Sequence, residues 1–164
     1  MPGSGKSSWG KKLANALQYS FVDLDKLIEQ QEELSIEEIF TEKGEEYFRN
    51  LEHKYLLKTV VMNHVVISCG GGTPCYHNNM DLINANGISF YLNGAIGLLV
   101  DRILNSKMRR PMFLGIEKAE IEKKMEELFL NRTPFFEQAH YSFNIPQETF
   151  QSFVNKAIRV VLFA

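Results

Sequence analysis

Cysteine is nearly absent from this 164-residue sequence, which holds only Cys69 and Cys75. Two thiols at this spacing make neither a zinc-ligand pattern nor a disulfide framework. Reduced, cytoplasmic thiols are the reading that remains. An excess of charge of one sign is also lacking. Eighteen Lys and Arg stand against twenty Asp and Glu, for a formal charge of −2, which argues against nucleic acid as a partner. Long apolar runs are missing as well. None nears the ~20 residues that a spanning helix needs, and the start has no signal-peptide pattern, so no membrane partner is expected. There is no internal repeat, low-complexity tract or linker.

What is present suits a folded enzyme-sized unit. Hydrophobic residues make up 45% and charged ones 23%, ordinary for a globular protein. The length is right for a single domain over residues 1–164 with a real core. Helical and short apolar stretches alternate, which predicts an α/β fold with a parallel sheet. Trp9, Leu13 and Leu17 recur at steps of four after Lys6 and predict a helix. "YSFVDLD" reads as a strand ending in two acids. Ser35 and Glu38 form a capping box ahead of "IEEIF", and Gly44 closes that helix. A further helix runs through "EEYFRNLEHKYLLKTVVMN". "HVVIS", "GISFYL" and "YSFNI" read as strands, and "GAIGLLVDRIL", "KAEIEKKMEELFLNRTPFFEQA" and the closing stretch as helices. Between them, residues 106–117 lose apolar periodicity and read as a loop.

The motif "GSGKSS" at residues 3–8 is the last part of G-x-x-x-x-G-K-[ST]. Its glycines let backbone N–H groups turn onto phosphate oxygens, and the following helix presents its positive end. Lys6 would reach the β- and γ-phosphates and the Ser7 hydroxyl would ligate Mg²⁺. A chance Gly/Ser turn is the alternative. In "FVDLD", Asp23 and Asp25 fall on one side of a strand end at period two. There one acid would hold magnesium through water and the other would orient or deprotonate a hydroxyl. A solvated strand end, or an N-cap for "KLIEQ", is the plainer alternative. Gly70, Gly71 and Gly72 follow "HVVIS" and offer backbone amides to an oxygen-rich ligand, or form a bare turn. Arg49, Arg110 and Arg132 stand beside aromatics or proline, a setting that suits a rigid planar fork as well as a surface charge. The four histidines show no metal-ligand spacing.

Taken in order, "PGSGKSS", "DLD", "IEEIF", "GEEYFRNLE", "GGG", "RRP" and "NRTPFF" resemble the shikimate kinase family of the nucleoside-monophosphate-kinase-like P-loop group. "GEEYFRNLE" followed by "GGG" is the most discriminating part. The resemblance implies a three-layer P-loop fold with a central parallel sheet in strand order 2-3-1-4-5. It implies ATP-dependent phosphorylation of the shikimate 3-hydroxyl, with ATP and Mg²⁺ as cofactors, by a monomer. Substrate-binding helices would span about 24–62 and a lid about 106–117. By the resemblance, Gly3, Ser4, Gly5, Lys6, Ser7 and Ser8 hold nucleotide, Arg102 lies on the adenine, and Arg110 reaches the transferring phosphate. Asp25 looks like the base that holds the substrate hydroxyls, and Asp23 looks like the acid assisting Mg²⁺ beside Ser7. Arg49 and Arg132 match the carboxylate clamp, with Glu52 orienting it and the Gly70–Gly72 amides on the hydroxyls. Ile36, Phe40 and Phe48 match the apolar wall.

Relatives begin with a strand and a glycine ahead of the stretch corresponding to Met1–Gly3, and that first strand has no counterpart here. The expectation is that Met1 is internal and that the native chain starts about eight to ten residues earlier, with an apolar strand buried on both faces. Two other readings compete with an active shikimate kinase. One is a related small-molecule kinase such as a gluconate kinase; the other is a catalytically impaired P-loop protein whose nucleotide site is incomplete.

Overall fold

The computed structural model describes residues 1–105, 113, 115–145 and 147–163. Its helices are α1 (Lys6–Leu17), α2 (Leu24–Glu32), α3 (Ile36–Val60), α4 (Asn79–Asn86), α5 (Ile96–Leu104), α6 (Lys118–Phe136) and α7 (Phe150–Phe163). Its strands are β1 (Ser20–Asp23), β2 (Val65–Ser68), β3 (Phe90–Gly94) and β4 (Tyr141–Ile145). No helix among the described residues is long and apolar enough to cross a membrane.

Local chemistry explains most of these boundaries. Ser35 caps α3 by accepting from Glu38 N at 3.2 Å, while Glu38 Oε2 accepts from Ser35 N at 2.7 Å. Both bonds of the predicted capping box are therefore present. Gly44 stands inside α3 with φ 83° and ψ 171°, a non-helical conformation that divides the helix into two arms. The sequence boundary at this glycine thus becomes a kink rather than a gap. Strand β3 runs through Asn93 and Gly94, and so starts and ends later than "GISFYL" suggests.

The strands pair in parallel, β1 with β2 from Ser20↔Val65 to Asp23↔Ser68, and β3 with β4 from Phe90↔Tyr141 to Gly94↔Ile145. They form two separate two-stranded sheets, where the resemblance implies one continuous sheet. The pairs match the outer couples of the order 2-3-1-4-5. A cavity of about 490 Å³ lies between them, lined by Val66 and Ile67 of β2, Tyr91 and Leu92 of β3, Leu13 of α1 and Met80 of α4. Apolar groups surround the cavity. One cluster joins Leu13, Leu92, Phe143, Ile145 and Phe153, and another joins Leu24, Ile28, Ile39, Phe48 and Tyr55. Met1 is buried with Tyr91, Leu99 and Val100.

Candidate active site

The glycine-rich turn enters α1 at the carboxyl ends of both strand pairs. Gly3 and Gly5 have φ of 78° and 83°, the left-handed region where a Cβ is costly. Gly3 also packs closely, since a Cβ there would come 2.6 Å from the Leu99 carbonyl oxygen of α5. Gly5 is the N-cap of α1, and no side chain caps that end. The positive end of α1 is therefore presented by Lys6 and Ser7, its first two residues. Ser4 is buried and Ser8 exposed.

Beside this turn, Ser7 Oγ donates to Asp23 Oδ2 at 2.7 Å and lies 3.3 Å from Ser68 Oγ. The register explains the meeting, because Asp23 and Ser68 are partners at the ends of β1 and β2. Asp23 is also the N-cap of α2, accepting from Lys26 N at 3.5 Å. Asp23 therefore takes the N-cap place of the plainer reading while also meeting Ser7. The strand ends at Asp23, however, and Asp25 lies in the first turn of α2 rather than at a strand end. The cap explains the difference: with Asp23 closing the helix, the chain turns at Leu24 and carries Asp25 inward.

Asp25 is packed among charged groups. A Cβ on Gly70 would come 2.7 Å from Asp25 Oδ1, 2.8 Å from Glu52 Oε1 and 3.0 Å from Thr73 Oγ1. Burial raises the Asp25 pKa to about 6; Lys6 opposes the shift, while the carboxylates of Asp23, Glu52 and Glu29 add to it. This is the tuning expected of a proton acceptor that works near neutrality. The neighbouring Cys69 thiol is pushed up to about 12 by burial, with Asp25 and Glu52 adding to the shift. It therefore stays protonated and is a poor nucleophile.

The arginine pair adjoins the next two glycines of the same turn. Arg49 Nη1 donates to Glu52 Oε2 at 2.6 Å, while its Nε and Nη2 donate to Glu45 Oε1 at 3.1 and 2.7 Å. Burial works against the Arg49 charge, yet Glu52 and Glu45 outweigh it and hold its pKa above the ordinary value. The guanidinium lies 4.4 Å over the Tyr76 ring, 5.3 Å from Phe48 and 5.8 Å from Phe40. Such stacking holds a planar cation in one orientation. Arg132 faces Gly71, where a Cβ would come 3.1 Å from its Nη1, and Arg49 faces Gly72, where a Cβ would come 2.8 Å from its Cζ. Burial, together with repulsion from Arg49, sets the Arg132 pKa below its ordinary value. Among the described residues, no carboxylate stands within ion-pair distance of Arg132. Two guanidinium groups thus converge beyond consecutive glycines, a pattern suited to a carboxylate.

Behind Arg49 lies a polar network of which sequence reasoning found only Glu52. Glu52, 1% exposed, also accepts from the Thr73 hydroxyl. Asn79 Nδ2 donates to the Thr73 carbonyl at 2.8 Å, and Asn79 Oδ1 lies 2.6 Å from His53 Nδ1. Thr73 and Asn79 are fully buried. No local spacing marks them; only burial beside an ion pair does. Glu45 and Tyr76 were missed as well, although the i,i+4 step from Glu45 to Arg49 is a readable signal. Of the residues expected to form an apolar wall, Phe48 is buried with its ring 4.8 Å from that of the exposed Phe40, and Ile36 is partly buried against the same cluster. Arg102 is half-buried in the last turn of α5. Arg110 and most of the expected lid over about 106–117 lie outside the described residues.

Comparison with known proteins agrees with this geometry. The family model for shikimate kinase matches residues 2–161. The shikimate kinase of Bacteroides thetaiotaomicron is 39% identical over 142 residues, covering 87% of this chain and 81% of that protein. That of Azobacteroides pseudotrichonymphae is 38% identical over 153 residues, covering 93% and 90%. Among solved structures, the Bacteroides thetaiotaomicron enzyme superposes with a TM-score of 0.91 at 35% identity, covering 99% of this chain and 94% of that one. The Acinetobacter baumannii enzyme in complex with shikimate superposes with a TM-score of 0.86 at 30% identity, covering 99% and 89%. A gluconokinase from Sinorhizobium meliloti, at TM-score 0.59 and 16% identity, shares the fold alone. A P-loop turn, a partly buried acid and an arginine pair in one cleft, with these matches along nearly the whole length, establish that the chain belongs to the shikimate kinase family.

Proposed function

We propose that this protein transfers the γ-phosphoryl group of ATP to the 3-hydroxyl of shikimate, as a cytoplasmic monomer. The convergence of Arg49 and Arg132 on Gly71 and Gly72, with the partly buried Asp25 at the adjoining Gly70, carries the reading. A small acid bearing hydroxyls needs a guanidinium fork at one end and a proton acceptor at the other. Arg49 and Arg132 would hold the carboxylate, and Glu52 with Thr73 would hold Arg49 in place. Phe48, Phe40 and Ile36 would pack on the ring. Asp25 would accept the proton of the attacking hydroxyl, and bound ATP would supply the phosphoryl group and depart as ADP.

The amides of the turn and Lys6 would hold the ATP phosphates and offset the charge that develops during transfer. Ser7 and Asp23 place two hard oxygen donors together at 2.7 Å, a set that suits Mg²⁺, which takes one or two protein oxygens besides phosphate. Arg102 on the adenine and Arg110 at the moving phosphate complete the reading. A coupled ADP-release assay with shikimate and a panel of other polyol acids, gluconate among them, tests it. Turnover confined to shikimate is expected. Turnover on gluconate but not shikimate, or none on any acid, overturns the proposal.

A further inference from the structure

Arg49 is paired with two carboxylates whose circumstances differ. Glu52 is 1% exposed and is held by the Thr73 hydroxyl as well as by Arg49. The Glu45 side chain is 55% exposed, and solvent can take over its hydrogen bonds at little cost. Glu45 covers the Nε/Nη2 edge of the guanidinium. One oxygen accepts from both Nε and Nη2, and the same oxygen accepts from the Tyr76 hydroxyl at 3.2 Å. The Tyr76 ring, over which Arg49 lies, is itself exposed. Arg49 chiefly, and Arg132 at longer range, hold the Glu45 carboxyl below its usual range. The Glu45 carboxylate thus lies in the field of both arginines that converge on the glycine turn.

Gly44 precedes Glu45 at φ 83° and ψ 171°, and a Cβ there would meet nothing within 4 Å, so the space on that side of the joint is open.

We propose that Glu45 is a stand-in carboxylate: it occupies the Arg49 edge while the cleft is empty and gives way to the substrate's carboxylate, thereby setting affinity for acidic ligands. The inference rests on the reading above that Arg49 binds the substrate carboxylate. Glu52 keeps Arg49 in place throughout, whereas Glu45 exchanges. Each binding event therefore replaces one carboxylate by another, and the net gain is smaller than an unpaired guanidinium would provide.

Calorimetric titration of the intact protein tests this with shikimate, with its neutral primary-amide analogue and with ATP. Exposed ion pairs are weak, so Glu45→Gln is expected to tighten shikimate binding by about two- to five-fold and to leave the Kd for the amide analogue and for ATP unchanged. Tyr76→Phe removes one hydrogen bond to Glu45 and keeps the ring, and should tighten shikimate in the same direction but less. Unchanged or weakened shikimate binding in both variants overturns the proposal and makes Glu45 a positioning residue for Arg49. If the unaltered protein binds the amide as tightly as shikimate, the underlying reading of the clamp fails, which is a different result.

Discussion

A carboxyl group buried beside other carboxylates keeps its proton to a higher pH than in water, and Asp25 is such a group. Its pKa of about 6 against an ordinary value of 3.8 means that the folded protein binds more protons than the unfolded chain between those values. Stability therefore falls as pH rises from about 4 to about 6, and the penalty is fully present above that window. Asp25→Asn removes the penalty together with the base. The variant is expected to melt higher than the unaltered protein at pH 7.5 and to match it at pH 4, as scanning calorimetry will show. Its turnover should fall by about 10²–10⁴-fold. In the unaltered protein, kcat/KM should decline as pH drops through about 6. A variant with near-normal turnover contradicts the role given to Asp25.

At the scale of elements, the kink in α3 sets the direction in which Arg49 leaves the helix. Residues before Gly44 carry Ile36 and Phe40, and residues after it carry Glu45, Phe48, Arg49 and Glu52. A straight helix would carry these residues on a different bearing. The conformation of Gly44, φ 83° and ψ 171°, lies in a region open essentially to glycine alone, and forcing another residue there costs about 1–3 kcal/mol. Gly44→Ala is expected to lower the stability measured by urea unfolding by that amount and to weaken shikimate binding. No steric clash contributes, because a Cβ at Gly44 would meet open space. Unfolding at the same urea concentration as the unaltered protein rules out the strain argument.

For the molecule as a whole, the division of the sheet dominates. β2 and β3 face one another across a cavity of about 490 Å³ with apolar walls. The phosphate turn meets both pairs, since Ser7 touches Ser68 at the end of β2 and Gly3 packs on Leu99 just after β3. An apolar strand filling the cavity would pair with β2 and β3 and bury its side chains at about 1.5–3 kcal/mol each, offset by about 1–2 kcal/mol per residue of ordering. The expected outcome of joining five apolar residues and a glycine ahead of Met1 is a gain of several kcal/mol. For a chain of this size that corresponds to a Tm rise on the order of 10 °C. A polar segment of equal length is the control, and equal melting of the two versions refutes the pairing.

What the sequence determined alone is whatever depends on neighbours a few residues away. The phosphate turn, the Ser35–Glu38 box, the break at Gly44 and the strands themselves follow from φ preferences, caps and apolar periodicity. Through the ordered motifs it also carried the family, and with it Asp25, Arg49 and Arg132. The tertiary structure alone decided how those groups are charged and held. The Asp25 pKa depends on burial beside Glu52 and Lys6, groups remote in the chain. Thr73, Asn79 and His53 acquire their roles only because α3, the glycine turn and α4 meet behind Glu52. Hydrogen bonds and φ angles are local, whereas desolvation and the convergence of charges arise only when distant segments share one interior.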